Sequence, residues 1–354
     1  MKVSSESFYN KVLEHFNTKL PFVIYNKPNS NRISGLLQKN DDVYNTVNYK
    51  ESGFVFAPFD VEKEAILIPL NHSESIECYK EVTSKNVFSI KNISYPSEKE
   101  NHIHLVEKTI NEIKNSEIKK IVISRKKEVL IEEFDFVSIF KKLVFKYPQA
   151  FCYVWYHPKV GLWVGATPET LLTLNNKEFE TMALAGTQKY EGSINVLWGE
   201  KEKEEQALVT SSIIENIKPI ASAIDVSEVQ TVKAGSLLHL KTAIKGQIEN
   251  ASIKDFVSSL HPTPAVCGLP MKAAKDFIIK NEGYNREFYT GFLGALNFEN
   301  EKTELFVNLR CMQYVENKKL ALYVGGGITK DSNATLEWDE TENKTKTMLD
   351  VLTK

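Results

Sequence analysis

Residues 304–327, ELFVNLRCMQYVENKKLALYVGGG, decide the fold class. Residues 304–315 alternate apolar and polar side chains, as a half-buried strand does. Glu316-Asn317-Lys318-Lys319 is a turn, and residues 320–324 resume as strand. Strands joined by so short a turn run antiparallel, because a parallel return needs a crossover of a dozen residues or more. Working outward, residues 288–297 alternate in the same way. Residues 151–156 and 161–166 read as two further strands, and 171–175 begin another. Residues 120–124, KIVIS, read as a buried strand, and 229–238 as strand. Helical periodicity covers 5–17, 104–115, 137–145, 200–217 and 336–352. Many sequential strands with interspersed helices predict an α/β fold of the α+β type, with large antiparallel-rich sheets flanked by helices. Residues 1–100 are weakly patterned. Short apolar runs at 53–58 and 65–69 lie between Asn, Ser and Lys clusters, and no chemical motif occurs there. They are expected to be a variable N-terminal part of the same fold, with 101–354 as its functional core and the whole as one structural domain.

Composition excludes several classes. The 354 residues are 42% hydrophobic and 25% charged, with 44 basic and 46 acidic residues giving a formal charge of -2. That balance provides no electrostatic footprint for nucleic acid or anionic lipid. The N-terminus lacks the apolar stretch of a signal peptide, and no run approaches the ~18 apolar residues that span a bilayer. Cys78, Cys152, Cys267 and Cys311 form no CxxC pair and read as reduced core thiols. A cytoplasmic protein is expected.

Two helical segments carry unusual acid patterns. Glu337, Glu340 and Lys344 follow i, i+3, i+7 spacing and so share one helix face. That face reads either as a solvated Glu–Lys stripe or as one turned toward a site. In the helix over 200–217, Glu205 lies on the stripe of Leu208, Val209 and Ser212, which points it toward the core, where an unpaired charge is costly. It also reads as a helix-end carboxylate favoured by the dipole. Two inward carboxylates could hold a hard cation, since Mg²⁺ commonly takes one or two protein carboxylates plus substrate oxygens and water. Sequence alone does not bring these helices together. Gly325-Gly326-Gly327 permits either a sharp turn or the approach of backbone N–H groups to an anion.

Taken in order, nine segments resemble the chorismate-utilising enzymes: KIVISRKKEV (120–129), GATPETLL (165–172), MALAGTQ (182–188), EKEEQALV (202–209), LLHLKTAIKG (237–246), LHPTPAVCGLP (260–270), REFYTGFLGALN (286–297), LFVNLRCMQ (305–313) and GGGITKDSNATLEWDETENKTKTM (325–348). That superfamily includes anthranilate synthase component I and the aminodeoxychorismate, salicylate and isochorismate synthases. Three positions make the chain resemble the isochorismate synthases. Ammonia-using members place Gln where this chain has Lys120, and a lysine enclosed by protein can take a proton from water. Aminodeoxychorismate synthases carry a nucleophilic lysine in PIKG, where this chain has Leu184-Ala185-Gly186. Ammonia users read HPTGT where this chain reads HPTPA, ending in Ala265; salicylate synthases usually have threonine at that last position.

The resemblance implies Mg²⁺-dependent conversion of chorismate to isochorismate. Lys120 is the general base that activates water for attack at C2. Glu169 is the general acid that protonates the departing C4 hydroxyl. Mg²⁺ is held by Glu205 and Glu340, with Glu337 reaching it through water. Arg310 and Tyr289 grip the pyruvyl carboxylate. Arg310 is expected on an alternating strand, on the opposite face from Leu309 and Cys311. Gly186, Thr187, Gly325, Gly326, Gly327 and Lys344 match further substrate contacts, and Ala265 the pocket wall. His239 matches a pocket histidine, though a histidine in LLHLK also reads as a hydrogen-bonded core residue. The implied partner is the small-molecule substrate alone, with no amidotransferase subunit, and a monomer. Two departures stand out: Gln206 replaces a frequent His, and the stretch between Gly186 and Glu205 is short. The competing expectations are a salicylate synthase and a non-catalytic chorismate-binding protein.

Overall fold

Side-chain parity along the strands assigns the layers. Phe22 and Ile24 join one buried cluster while Val23 and Tyr25 join another, so the strand Phe22–Asn26 is covered on both faces. The same split separates Cys152 and Val154 from Tyr153 and Trp155, and Leu320 and Leu322 from Ala321 and Tyr323. Successive side chains of a strand point to opposite faces, so each strand contributes to two cores. In the computed structural model, which describes residues 1–81, 88–93, 95, 97–298 and 301–353, the strands form two ten-stranded sheets. Neighbouring strands within them are antiparallel.

The aromatic-rich cluster of Tyr25, Phe54, Phe56, Trp155, Trp163, Leu293, Phe306 and Tyr323 draws on both sheets and is the core between them. The outer face of the first sheet is covered by helices Ser5–Asn17, Phe136–Lys146 and Ala334–Thr353, through Phe8, Phe140, Leu143, Met348 and Val351. The outer face of the second is covered by Glu200–Ile217 and Ile253–Leu260, through Val209, Ile213, Ile217 and Phe256. The result is a helix–sheet–sheet–helix sandwich. Strands from the first hundred residues complete both sheets: Phe22–Asn26 pairs with Phe151–His157, and Gly53–Ala57 pairs with Phe292–Phe298.

Several boundaries differ from expectation. Residues 304–315 are two strands, Lys302–Val307 in the second sheet and Cys311–Val315 in the first. The chain crosses between sheets at Asn308–Arg310, where Arg310 adopts φ 47°, so Arg310 is not on an alternating strand. Alternation continues through a crossover because both cores demand apolar residues. Residues 229–238 are likewise broken. Gln230–Ala234 and Leu237–Ile248 form a hairpin, with Gly235 at φ 63° as its turn. Residues 288–291 form a turn before Phe292–Phe298, closed by the Gly291 N–H to Phe288 O bond. The long strand Glu178–Lys189 had no clear alternation to announce it. All four cysteines are buried and free. Among the described residues, no helix is long and apolar enough to cross a membrane.

Candidate active site

Two crossings between the sheets bring the first functional groups together. Gly161–Thr167 belongs to the first sheet and Thr170–Asn175 to the second, so Pro168-Glu169 is a crossing, as Asn308–Arg310 is. Ala166 N–H donates to Arg310 O, and Val307 N–H to Glu169 O, tying the crossings side by side. Beside them opens a cleft of about 700 Å³. Its lining includes Glu169, Gly186, Thr187, Glu205, His239, Ala265, Tyr289, Arg310, Gly325, Gly326, Gly327, Glu340 and Lys344. The structure thus gathers thirteen of the fifteen expected site residues along one cleft, and the other two, Lys120 and Glu337, reach its glycine floor at Gly327 and Gly326.

The triple glycine is that floor. On Lys319–Ile328, Tyr323, Gly325 and Gly327 share a face, and Gly326 faces the helix Ala334–Thr353. A Cβ on Gly327 would stand 2.6 Å from Glu205 Oε1 and 2.7 Å from Lys120 Cε. A Cβ on Gly326 would stand 3.2 Å from Glu337 Oε2 and 3.7 Å from Glu340 Oε1. The missing side chains therefore let three carboxylates from two helices approach one stretch of backbone. This is the juxtaposition that sequence could not show.

Lys120 is fully buried, with its Nζ 2.8 Å from Glu205 Oε1. Its neighbours Ile121 and Ile123 enter the apolar cluster beneath the strand, so parity turns Lys120 and Val122 to the cleft side. Glu169 is 2% exposed. Burial pushes its carboxyl up to about 8 against the opposing pull of Lys120 and Thr263, so it holds its proton at neutral pH. Glu337 is also raised, by burial and then by the like charge of Glu340. Glu340 is lowered: burial acts to raise it, but Lys344, Lys201 and Arg310 outweigh that. Lys344 Nζ donates to Glu340 Oε1 at 2.6 Å and to Gly325 O at 2.8 Å.

These acids fit a hard cation. Glu337 Oε2 is buried without a hydrogen-bond partner and aims at the Gly326 backbone near Glu340. Among the described residues no three acidic, histidine or cysteine groups cluster closely enough to chelate a metal unaided. A cation here would need ligands from substrate and water, and would share the three carboxylates with Lys120, Lys201 and Lys344.

The opposite end is basic and hydrogen-bonding. Arg310 Nη2 donates to His239 Nε2 at 3.3 Å, and Nη1 to Thr347 Oγ1 at 3.3 Å. His239 Nδ1 lies 2.9 Å from Gly186 O, which fixes the proton on Nδ1. Burial and then the Arg310 charge push this histidine down to about 3, so it is a neutral relay between Gly186 and Arg310. It is both a hydrogen-bonded residue and a lining residue. Tyr289 stacks on Tyr323 at 5.4 Å, and its hydroxyl approaches Gly325.

Sequence reasoning missed the supports. Lys201 pairs with Glu337 at 2.7 Å from a helix on which only Glu205 was expected to turn inward. Asn308, fully buried, accepts from Tyr153 Oη at 2.6 Å and donates to Phe288 O at 2.8 Å, fixing the crossing that carries Arg310. Arg286 donates to the carbonyls of Val122 and Val266 and pairs with Glu282. A polar residue inside an apolar alternation, as Asn308 is, was the one available signal. Gln206, at the departure noted above, donates to Ala183 O and Thr242 Oγ1, away from the cleft.

Fold and site together define an enzyme-like cleft with an acidic and a basic end, set at the crossings between two antiparallel sheets. Residues 40–353 match the family of chorismate binding enzymes, and the chain belongs to that family. Among curated relatives, it is 31% identical to isochorismate synthase EntC of Escherichia coli over 66% of this chain and 62% of that protein. It is 30% identical to isochorismate synthase DhbC of Bacillus subtilis over 52% of this chain and 49% of that one. The aligned part thus spans about half to three-fifths of these relatives. The structure superposes on a candidate 2,3-dihydroxybenzoate-specific isochorismate synthase, DhbC, from Bacillus anthracis with TM-score 0.81 and 26% identity, covering 98% of this chain and 99% of that one. The menaquinone-specific MenF of Escherichia coli gives TM-score 0.80 at 19% identity, covering 94% of this chain and 89% of that one, and shows the shared fold. The family is consistent with a metal cofactor.

Proposed function

We propose that this protein is an isochorismate synthase, adding water at C2 of chorismate and releasing the C4 hydroxyl. The observation that carries the reading is the pairing, in one cleft, of a buried lysine with a buried carboxyl that stays protonated near neutral pH. Lys120, as the free amine, takes the proton from the attacking water, and Glu205 at 2.8 Å holds the ammonium that forms. Glu169 gives its proton to the leaving hydroxyl, and its value near 8 suits an acid working at neutral pH. Arg310 and Tyr289 hold the pyruvyl carboxylate, with His239 fixing the guanidinium. Lys344 and the backbones of Gly186, Thr187 and Gly325–Gly327 surround the ring, and Ala265 forms its wall. Glu205, Glu337 and Glu340 would hold Mg²⁺, whose chemistry is to neutralise and orient a ring carboxylate. The same reading carries a cytoplasmic monomer working without an amidotransferase subunit.

The test is chromatography of chorismate incubated with the protein, Mg²⁺ and excess ammonium. Isochorismate as the main product is expected. A mainly aminated product would overturn the water-nucleophile reading. Fluorescent salicylate would move the assignment to the pyruvate-eliminating relatives.

A further inference from the structure

A second cavity, of about 1140 Å³, adjoins the cleft, and Pro168 and Arg310 line both. Its wall is partly apolar, with Tyr147, Pro148 and Ala234, and carries Lys146, Lys233 and Arg310 against the single carboxylate Asp350. Lys146 is neutralised by Asp350 at 2.9 Å. Lys233 is not: it is exposed, lies over the Tyr190 ring at 3.7 Å, and makes no ion pair among the described residues. The turn of the 230–248 hairpin roofs this cavity. A Cβ on Gly235 would lie 3.3 Å from Tyr147 Cε1 and 4.0 Å from Thr347 Oγ1, the atom that accepts from Arg310. Arg310 is therefore reached from two sides, the cleft and this chamber.

A third cavity touches the cleft at the other end, sharing Glu205. It contains Lys114, Lys119, Lys201 and Lys330, but also Glu204, Glu205 and Asp331, and it meets the cleft at a carboxylate. A dianion arriving that way passes Lys114, Lys119 and Lys330 beside Glu204 and Asp331, and enters the cleft at Glu205, a carboxylate, rather than at a cationic side chain. One arriving through the second cavity meets an unpaired lysine and then a guanidinium.

We propose that the chamber under the Gly235 turn is the vestibule through which a dicarboxylate substrate reaches the cleft, with Lys233 as its steering charge and Arg310 as the hand-over point. This rests on the functional reading above for the identity of the dianion. A cationic mouth with apolar walls raises the local concentration of an anion and its association rate, and the effect weakens with salt. Lys233 touches no reacting atom, so its part is in capture rather than chemistry.

The test is the association rate of chorismate, followed by tryptophan fluorescence in stopped flow, alongside steady-state kinetics of the whole protein with Mg²⁺. Lys233→Glu is expected to slow association and kcat/KM about tenfold at low salt, in line with steering effects of that size. kcat should be unchanged, and the deficit should vanish at high salt. Ser236→Trp, on the exposed rim of the same cavity, should slow association at every salt concentration. Lys330→Glu, in the third cavity, should change neither. A slowing by Lys330→Glu with none by Lys233→Glu would place the approach at the other end and overturn the proposal, as would no slowing by either Lys233→Glu or Ser236→Trp. Normal binding without turnover in the unmodified protein would defeat the isochorismate synthase reading while leaving the vestibule standing. No chorismate binding at all would defeat both.

Discussion

At the scale of single residues, the site is built on groups whose charge is costly where they stand. Glu169 is the clearest. Its folded-state value is raised from 4.5 to about 8, so the folded protein retains a proton that the unfolded chain gives up. The associated stability is fully present below about 4.5 and is lost as pH rises through about 8. Glu169→Gln keeps the shape without the charge. It is expected to raise the melting temperature above pH 7, with a gain on the order of 3 kcal/mol at pH 7 as an upper figure. The same substitution should abolish turnover. Equal melting temperatures of the two proteins at pH 8 would contradict the burial account. In the unmodified protein, activity that depends on the acid form should decline as pH rises through about 8. Lys120→Ala should cost about 10²–10⁴-fold in turnover, the usual range for a lost general base, while circular dichroism stays native. Substantial turnover by the folded variant would remove Lys120 from its role. Most of these residues were legible through motifs. Their protonation states were not, because desolvation depends on what covers a side chain. Lys201 went unseen for the same reason: nothing in a run of alternating charges says which lysine reaches inward.

At the scale of elements, the decisive feature is the strand Lys319–Ile328 ending in glycines beneath the helix Ala334–Thr353. Gly326 has space for the helix carboxylates because it lacks a side chain. Gly326→Ala would set a methyl 3.2 Å from Glu337 Oε2. We expect it to raise the Mg²⁺ concentration for half-maximal activity at least several-fold with little change in melting temperature. Unchanged metal dependence, measured by titrating activity, would show that the cation lies elsewhere. Among the described residues, five of the seven helices and the turn at 316–319 were readable from periodicity and turn residues, whereas Ile253–Leu260, Met271–Asn281 and the hairpin turning at Gly235 were not. The sheet crossings at 167–170 and 308–310 were not, since a chain passing between two apolar cores carries the same alternation as a chain staying in one. Arg310 was accordingly placed on a regular strand, when the left-handed conformation of the crossing is what brings it into the cleft.

At the scale of the molecule, the first hundred residues had no motif, yet they supply strands to both sheets. We propose that the chain is one structural domain. Removing residues 1–100 would open Phe151–His157 and Phe292–Phe298 as long apolar edges, which invite aggregation. A fragment of 101–354 is expected to be insoluble or unfolded, and a soluble, chorismate-binding fragment would show that the core folds alone. The order of strands within each sheet was beyond reach of the sequence, because pairing between segments such as 22–26 and 151–157 leaves no local signature. What the whole architecture accomplishes is to set a buried lysine and a protonated carboxyl in one cleft, and the claim made for that arrangement is that water is the nucleophile. Conversion of chorismate with Mg²⁺ in ¹⁸O-labelled water, read by mass spectrometry, tests it most directly. The account predicts isochorismate carrying one ¹⁸O in its new ring hydroxyl; unlabelled isochorismate, or no isochorismate, would contradict it.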